Sequence, residues 1–304
     1  MRFACNIRGM TNNRETARLT RERGQIRKLA HLSDLHIGRS AESDARAVRL
    51  CAALVDARVD HVVVTGDVTH RGRRRELARF EEIFAPLRDR LTAIPGNHDR
   101  LGDDMGDALM AGERVQATAA PGLYLVRVNS TGPHNRSWLM GHGRLDEEDL
   151  DAVADVLSHA PARHLAIVLM HHHPLPLPED RAVERISSWM GWRFTTELDR
   201  GQALLERIRG RCDLLLHGHR HVPCERRPFA DDLRPLRVLN AGSSTELGRA
   251  CIFTHVAGQL VGEPTWLDAM SVVPEDTWPA LAEPGSMAGE ATADMLGGAR
   301  RSAI

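Results

Sequence analysis

The chain has 304 residues, 42% of them hydrophobic and 27% charged, with a formal net charge of -1, enough for one large domain or two small ones with a real core. This composition excludes a chain disordered throughout, and its longest purely apolar runs, such as Leu165–Met170, fall far short of the ~18 residues of a membrane span. A charge near zero gives no support to bulk nucleic-acid binding.

Residues 1–28 carry eight basic side chains against Glu15 and Glu22, a balance of +6 that leaves -7 for the rest. They are too polar for a secretory signal. A basic, disordered extension over 1–25 is expected, solvated rather than an arm for nucleic acid or anionic lipid. The ordered domain is expected over 26–265. It opens with a strand at Ile26–Leu32 and a helix at Ser43–Ala57 capped by Ser43. A β-branched strand follows at His61–Val64, then a helix over Arg74–Arg90 with Leu77, Phe80, Phe84 and Leu87 on one face, and a strand at Leu91–Ile94 stopped by Pro95-Gly96.

Further on, the pattern predicts a strand at Leu123–Val128, an acid-started helix at Asp146–His159, a strand at His164–Met170, a helix at Thr196–Arg209 and a strand at Asp213–Leu216. Short strands near Leu236–Leu239 and Ala250–Val256 close the series. Such alternation argues for a layered α/β domain, and the strand-rich end for a mixed sheet or two sheets. Leu175–Arg200, with Trp189, Trp192 and several arginines, reads as a segment covering a site; its tryptophans serve either to pack it down or to stack on a base. From 270 to 304 the composition turns to Glu, Pro, Gly, Ala and Ser, and a mobile tail is expected. Five scattered cysteines without a C-x-x-C pair point to a reducing cytoplasm, with Cys51 and Cys251 as core residues.

Chemistry gathers at the ends of strands. The first runs into Asp34-Leu35-His36, the second into Gly66-Asp67, and the third into Gly96-Asn97-His98-Asp99. Two later strands end in His171-His172-His173-Pro174 and His217-Gly218-His219-Arg220-His221. In α/β sheets ligands bind at this carboxyl edge. Oxygen and imidazole donors without a thiolate suit Mn²⁺, Fe²⁺/Fe³⁺ or Zn²⁺ in open sites. Seven donors are too many for one ion that keeps a substrate position, and fit two ions ~3.5–4 Å apart sharing a carboxylate. Of the three adjacent histidines, strand alternation sets His171 and His173 on the face opposite His172, and His171 is the first residue past the strand. His172, Arg71 and Arg220 are candidate substrate contacts, and His142, between two glycines, is a candidate to approach the pocket. His61, His134, His159, His164 and His255 read as structural or exposed.

The ordered series D-x-H, G-D, G-N-H-D, H-H-x-P and G-H-x-H resembles the calcineurin-like metallophosphoesterase superfamily over roughly residues 27–257. The run His171–Pro176 and the turn at Gly143-Arg144-Leu145 resemble bacterial class III cyclic nucleotide phosphodiesterases within it. The resemblance implies an α/β/β/α sandwich with mixed sheets and helices outside. It implies one ion on Asp34, His36, Asp67 and His221, and a second on Asp67, Asn97, His171 and His219, the first residue past the strand being the family's ligand position among the three histidines. His98 would stand beside the phosphate and protonate the leaving oxygen, with Asp99 holding His98. The implied activity is hydrolysis of phosphodiesters, cyclic nucleotides or similar small diesters, by hydroxide generated at the metals. A phosphomonoesterase, nuclease or lipid-head-group hydrolase uses the same site, and a scaffold without catalysis is a further alternative; the filled ligand positions and His98 argue against the scaffold.

Overall fold

Arg27–Leu32 forms a strand, β1, buried from Leu29 onward, with Ala30 and Leu32 on one face and Leu29 on the other, as a period of two requires. This computed structural model describes residues 25–175 and 198–270. Strands follow at His61–Thr65 (β2), Leu91–Ile94 (β3), Val115–Ala120 (β4), Leu123–Val128 (β5), Gly143–Arg144 (β6) and Leu165–Leu169 (β7). Later ones are Leu198–Asp199 (β8), Leu214–His217 (β9), Cys224–Arg226 (β10), Arg237–Asn240 (β11), Arg249–Val256 (β12), Gln259–Leu260 (β13) and Thr265–Asp268 (β14).

One sheet runs β13-β12-β1-β2-β3, with β14 also on β12. Its β1, β2 and β3 are parallel, and β12 lies antiparallel to β1. The other runs β10-β11-β9-β7-β5-β4, parallel through its centre and antiparallel at both edges. The sheets face each other across Leu29, Val63, Ile94 and Phe253 on one side and Leu125, Ile167, Leu169 and Leu216 on the other. Outside the first sheet, Leu50, Leu54, Phe80 and Ile83 of helices Ala41–Asp56 and Arg74–Ile83 cover Leu32, Val62 and Val64. Outside the second, helices Glu147–Ser158 and Gly201–Ile208 cover Val126, Val168 and Leu215 with Leu150, Val153, Leu204 and Ile208. The architecture is the mixed-sheet α/β/β/α sandwich. No helix among the described residues is long and apolar enough to cross a membrane.

Several boundaries differ from the sequence pattern for identifiable reasons. The helix expected over Arg74–Arg90 breaks: Arg74–Ile83 is α-helical and Ala85–Arg90 is a 3₁₀ turn, because Pro86 has no N–H to donate and its ring crowds the preceding turn. The helix placed at Ser43 starts at Ala41, since the Ser40 hydroxyl, not that of Ser43, accepts the capping bond, from Ser43 N at 3.1 Å. The helix placed at Thr196 starts at Gly201; Leu198–Asp199 instead pair with Gly143–Arg144. Strand β4 escaped notice because its Val-Gln-Ala-Thr-Ala-Ala sequence alternates only weakly. The basic extension, most of the covering segment with Trp189 and Trp192, and the tail fall on residues 1–24, 176–197 and 271–304, outside the described residues.

Cys51 and Cys251 sit in the core as free thiols. His61 and His255 are buried within strands, and His159 is exposed. Burial pushes His61 down from 6.5 to about 4, and its Nε2 lies 2.9 Å from Thr92 Oγ1. Because the unfolded chain binds the proton first, this histidine contributes stability that is fully present above pH 6.5 and lost as pH falls toward 4. The slope is about 1.4 kcal/mol per pH unit over that window. Urea unfolding at stepped pH is expected to show a shallower acid limb in His61→Gln, which keeps a partner for Thr92 and does not titrate; an unchanged limb refutes the assignment.

Candidate metal centre

Parallel neighbours end at one edge, so β1, β2 and β3 release Asp34, His36, Asp67 and Asn97 side by side. From the facing sheet β7 and β9 release His171, His219 and His221. Backbone bonds lock these loops together: Asp34 N to Gly66 O at 3.1 Å, His36 N to Asp67 O at 2.9 Å, and Gly218 N to His171 O at 3.0 Å. Both oxygens of Asp34 also accept from His219 N, at 3.1 and 3.0 Å.

The backbone is strained where the side chains converge. Asp34 (φ 52), His36 (48), Asp67 (48), His219 (79) and His221 (54) all occupy the left-handed region, at a cost of order 1–3 kcal/mol each for a residue with a Cβ. Such conformations persist only where the surroundings impose them, and cluster at functional sites. Gly96 and Gly218 make room for this crowding. A Cβ at Gly96 would overlap Asp67 Oδ1, and one at Gly218 would overlap Ser33 Oγ and Asp34 Oδ2.

The seven side chains form two adjoining groups. In one, His221 Nε2 lies 3.0 Å from His36 Nε2 and 3.4 Å from Asp34 Oδ1, and His36 Nε2 lies 3.8 Å from Asp67 Oδ2. In the other, His171 Nε2 lies 3.4 Å from Asp67 Oδ1, 3.1 Å from Asn97 Oδ1 and 3.3 Å from His219 Nδ1. Asp67 presents one oxygen to each group. Two ring nitrogens facing each other at 3.0 Å have at most one proton to share, and a cation between them satisfies both lone pairs. Carboxylate, amide and imidazole donors without thiolate fit the ions considered above.

The electrostatics favour positive charge at both places. Burial opposes ionisation of Asp67, yet His171, His98 and His36 hold it well below the usual carboxylate range. Asp34, also against its burial, is held at about 2, chiefly by His221 and His171. Burial likewise opposes protonation of His171 and His221, but Asp67 and Asp34 around the first, and Asp34 and Glu246 around the second, raise each to about 9. Burial and the neighbouring His171 push His219 down to about 3. Protons stand on His171 and His221 where a cation would replace them.

His98 lies 4.6 Å, ring to ring, from His36. Its partner corrects the sequence reading: Asp99 does not touch the His98 ring. Nδ1 of His98 meets the His70 carbonyl oxygen at 2.8 Å, while Asp99 points back and accepts from Gly96 N, Val68 N, Thr69 N and Thr69 Oγ1. The 3₁₀ turn at His98–Arg100 aims adjacent side chains apart. Asp99 fastens the Gly96 loop to the one after Asp67 and so positions both. Burial and the nearby Asp67 push its carboxyl up to about 6.

Other candidates also move. His172 is fully buried, with Nδ1 at 2.8 Å from Ser130 Oγ and its ring 4.8 Å from that of His219; it supports His219 instead of facing solvent as a substrate contact. His142 does not reach the centre but stacks on His134 at 4.2 Å. The nearby backbone is Gly141, whose Cβ would come 3.7 Å from His219 Cε1. Arg71 is exposed and lines the cavity beside His98; Arg220 is partly exposed between two candidate ligands.

Two supports escaped the sequence reading. Glu246 faces His221 Nδ1 at 3.3 Å, and a carboxylate behind an imidazole fixes its orientation. Ser243 and Thr245 donate to the Asp34 carbonyl at 2.9 and 3.4 Å. The available signal was Asn240-Ala241-Gly242-Ser243, one more strand end with a glycine and polar residues.

Asp and His donors cluster at the carboxyl edge of a two-sheet α/β sandwich in groups that could hold metal ions. The family of calcineurin-like phosphoesterases matches residues 27–223, and the chain belongs to it. The protein is therefore a hydrolase acting on phosphoric esters. Over 232 residues it is 28% identical to a 3',5'-cyclic adenosine monophosphate phosphodiesterase of Pseudomonas aeruginosa, spanning 71% of this chain and 75% of that one. Over 213 residues it is 25% identical to a probable cyclic nucleotide phosphodiesterase of Pseudoalteromonas sp., spanning 66% and 73%. In fold it is similar to a dimetal phosphatase from Danio rerio, with TM-score 0.56 and 11% identity over 80% of this chain and 99% of that one. A purple acid phosphatase from yellow lupin seeds gives TM-score 0.56 and 12% identity over 86% and 57%.

Proposed function

We propose that the chain is a dinuclear phosphodiesterase of the cytoplasm acting on small nucleotide diesters, cyclic nucleotides among them. Asp34, His36, Asp67 and His221 hold one ion; Asp67, Asn97, His171 and His219 hold the other. The observation that carries this reading is the strained convergence of seven donors from five separate loops, with Asp67 offering an oxygen to each group. Relatives named as cyclic nucleotide phosphodiesterases support the choice of diester. Two such ions, when bound, offset charge on a phosphoryl group and supply hydroxide near neutral pH.

The chain's own residues do the rest. The His70 carbonyl oxygen only accepts, so Nδ1 of His98 carries a proton inward, and Nε2 is the nitrogen that, with a second proton on the ring, would give it to the departing oxygen. The same carbonyl, with the His98 N–H bonded to Asp67 Oδ1 at 2.8 Å, keeps that ring in place without search. Glu246 and the Thr65 carbonyl, 2.8 Å from His171 Nδ1, set which nitrogens of His221 and His171 face the ions.

A panel of a cyclic mononucleotide, an aryl diester, an aryl monoester, a lipid head-group ester and a nucleic acid, assayed with Mn²⁺, Fe²⁺ or Zn²⁺, tests the reading. The diesters are expected to turn over with kcat/KM at least about tenfold above the monoester. A monoester preference overturns it.

A further inference from the structure

His98 also lines a cavity of about 690 Å³, a volume in the range of small-molecule sites. Arg71, Arg73 and Arg136 line it together with His70 and Trp138, and among the described residues no carboxylate does. Arg136 is neutralised by Asp104, at 2.8 Å. Among the described residues no ion pair is formed by Arg71 or Arg73, and both line the cavity. Trp138, 80% exposed, offers a bare aromatic face at the rim.

The loop that carries the arginines is built. Glu76 Oε2 accepts from Arg71 N and Arg73 N at 2.8 and 3.4 Å, Gly72 N donates to Thr69 Oγ1 at 3.1 Å, and Asp103 N donates to Gly72 O at 3.0 Å. Glu76 thus spends one oxygen on two backbone amides, and the neighbouring Asp103 carboxylate accepts from Arg74 N at 3.0 Å. What remains is a pair of guanidinium groups and a planar ring around the cavity that His98 also lines. Guanidinium binds phosphate through paired N–H donors, and an indole face stacks on a base.

We propose that this cavity holds the part of the substrate beyond the scissile bond, and that this part is a nucleotide bearing a second phosphate, placed on Arg71 and Arg73 with its base on Trp138. This rests on the phosphodiesterase reading above and narrows its substrate class: a cyclic mononucleotide has no second phosphate to offer, whereas dinucleotide diesters do. In the reaction a P–O bond to the water oxygen forms, the P–O3′ bond breaks, and O3′ takes the proton.

The test compares adenylyl-(3′→5′)-adenosine with the same dinucleotide carrying a 5′-phosphate. The first yields adenosine and AMP, the second two AMP, and the pair differ only in the second phosphate. The wild type is expected to prefer the phosphorylated dinucleotide by about tenfold or more in kcat/KM, the worth of one charge-assisted pair. Arg71→Gln combined with Arg73→Gln is expected to bring that ratio to about one through a raised KM. The ratio is taken within one sample, so a loss of folded protein cancels. Arg75→Ala, exposed on the adjoining helix and outside the cavity, is expected to keep it. A wild-type ratio near one, or a ratio that survives the double substitution, overturns the proposal while leaving a phosphodiesterase that cleaves both dinucleotides. Failure to cleave any diester overturns the phosphodiesterase reading as well.

Discussion

Asp67→Ala is expected to abolish turnover, with a fall in kcat of at least about 1,000-fold, the scale of losing one preorganised stabilising group. Three duties meet on this carboxylate. Its oxygens face His36 at 3.8 Å and His171 at 3.4 Å, so both groups lose a donor at once. Its Oδ1 also accepts from His98 N at 2.8 Å, so the loop that carries Asn97 and His98 loses its anchor. Asp67→Asn separates these effects. An asparagine still offers an oxygen to the His98 amide but brings no negative charge to the metal side. If charge is what matters, both variants lose metal and activity together. Near-normal activity in either contradicts the assignment of Asp67.

His98→Ala is expected to behave differently. It removes no donor from either group of ligands, so metal content is expected to match the wild type while kcat falls by about 10²–10⁴, the ordinary worth of a positioned acid. The loss is expected to depend on the leaving group. A nitrophenyl diester, whose departing phenolate needs little help, is expected to lose far less than a substrate that expels an alkoxide. His98→Ala with an equal loss on both substrates would assign the ring to phosphate binding in place of proton transfer. The Nδ1 contact to the His70 carbonyl predicts that His98→Gln, whose amide donates hydrogen bonds but is no acid, does not rescue the alkoxide reaction.

Much of this site was legible from residue types and order. Every metal-ligand candidate follows a strand whose apolar pattern is plain, such as Val62-Val63-Val64 before Gly66-Asp67 and Leu165–Leu169 before His171. Parallel pairing then brings the strand ends to one edge without any further information. What sequence could not carry was the direction of side chains after the strands. Asp99 neighbours His98 in the chain, and the family resemblance implies a partnership, but the turn there sends its carboxylate to the amides of Gly96, Val68 and Thr69. His172 was similarly out of reach, because only the packed layer shows it sealed beneath His219. Glu246 lies in a short helix far along the chain, and nothing in Ser244–Leu247 announces that it meets His221. Pro86 is the counter-case, a single residue whose chemistry predicts the break that the apolar spacing conceals.

Two cations gathered by Asp34, His36, Asp67, Asn97, His171, His219 and His221 are the claim on which the rest stands. Metal loading of the purified chain with Mn²⁺ or Zn²⁺, quantified by elemental analysis and located by anomalous scattering in a crystal, tests it most directly. The account predicts two peaks per chain on either side of the Asp67 carboxylate, both reduced in Asp67→Ala. A single ion, or ions bound away from these seven residues, would contradict it.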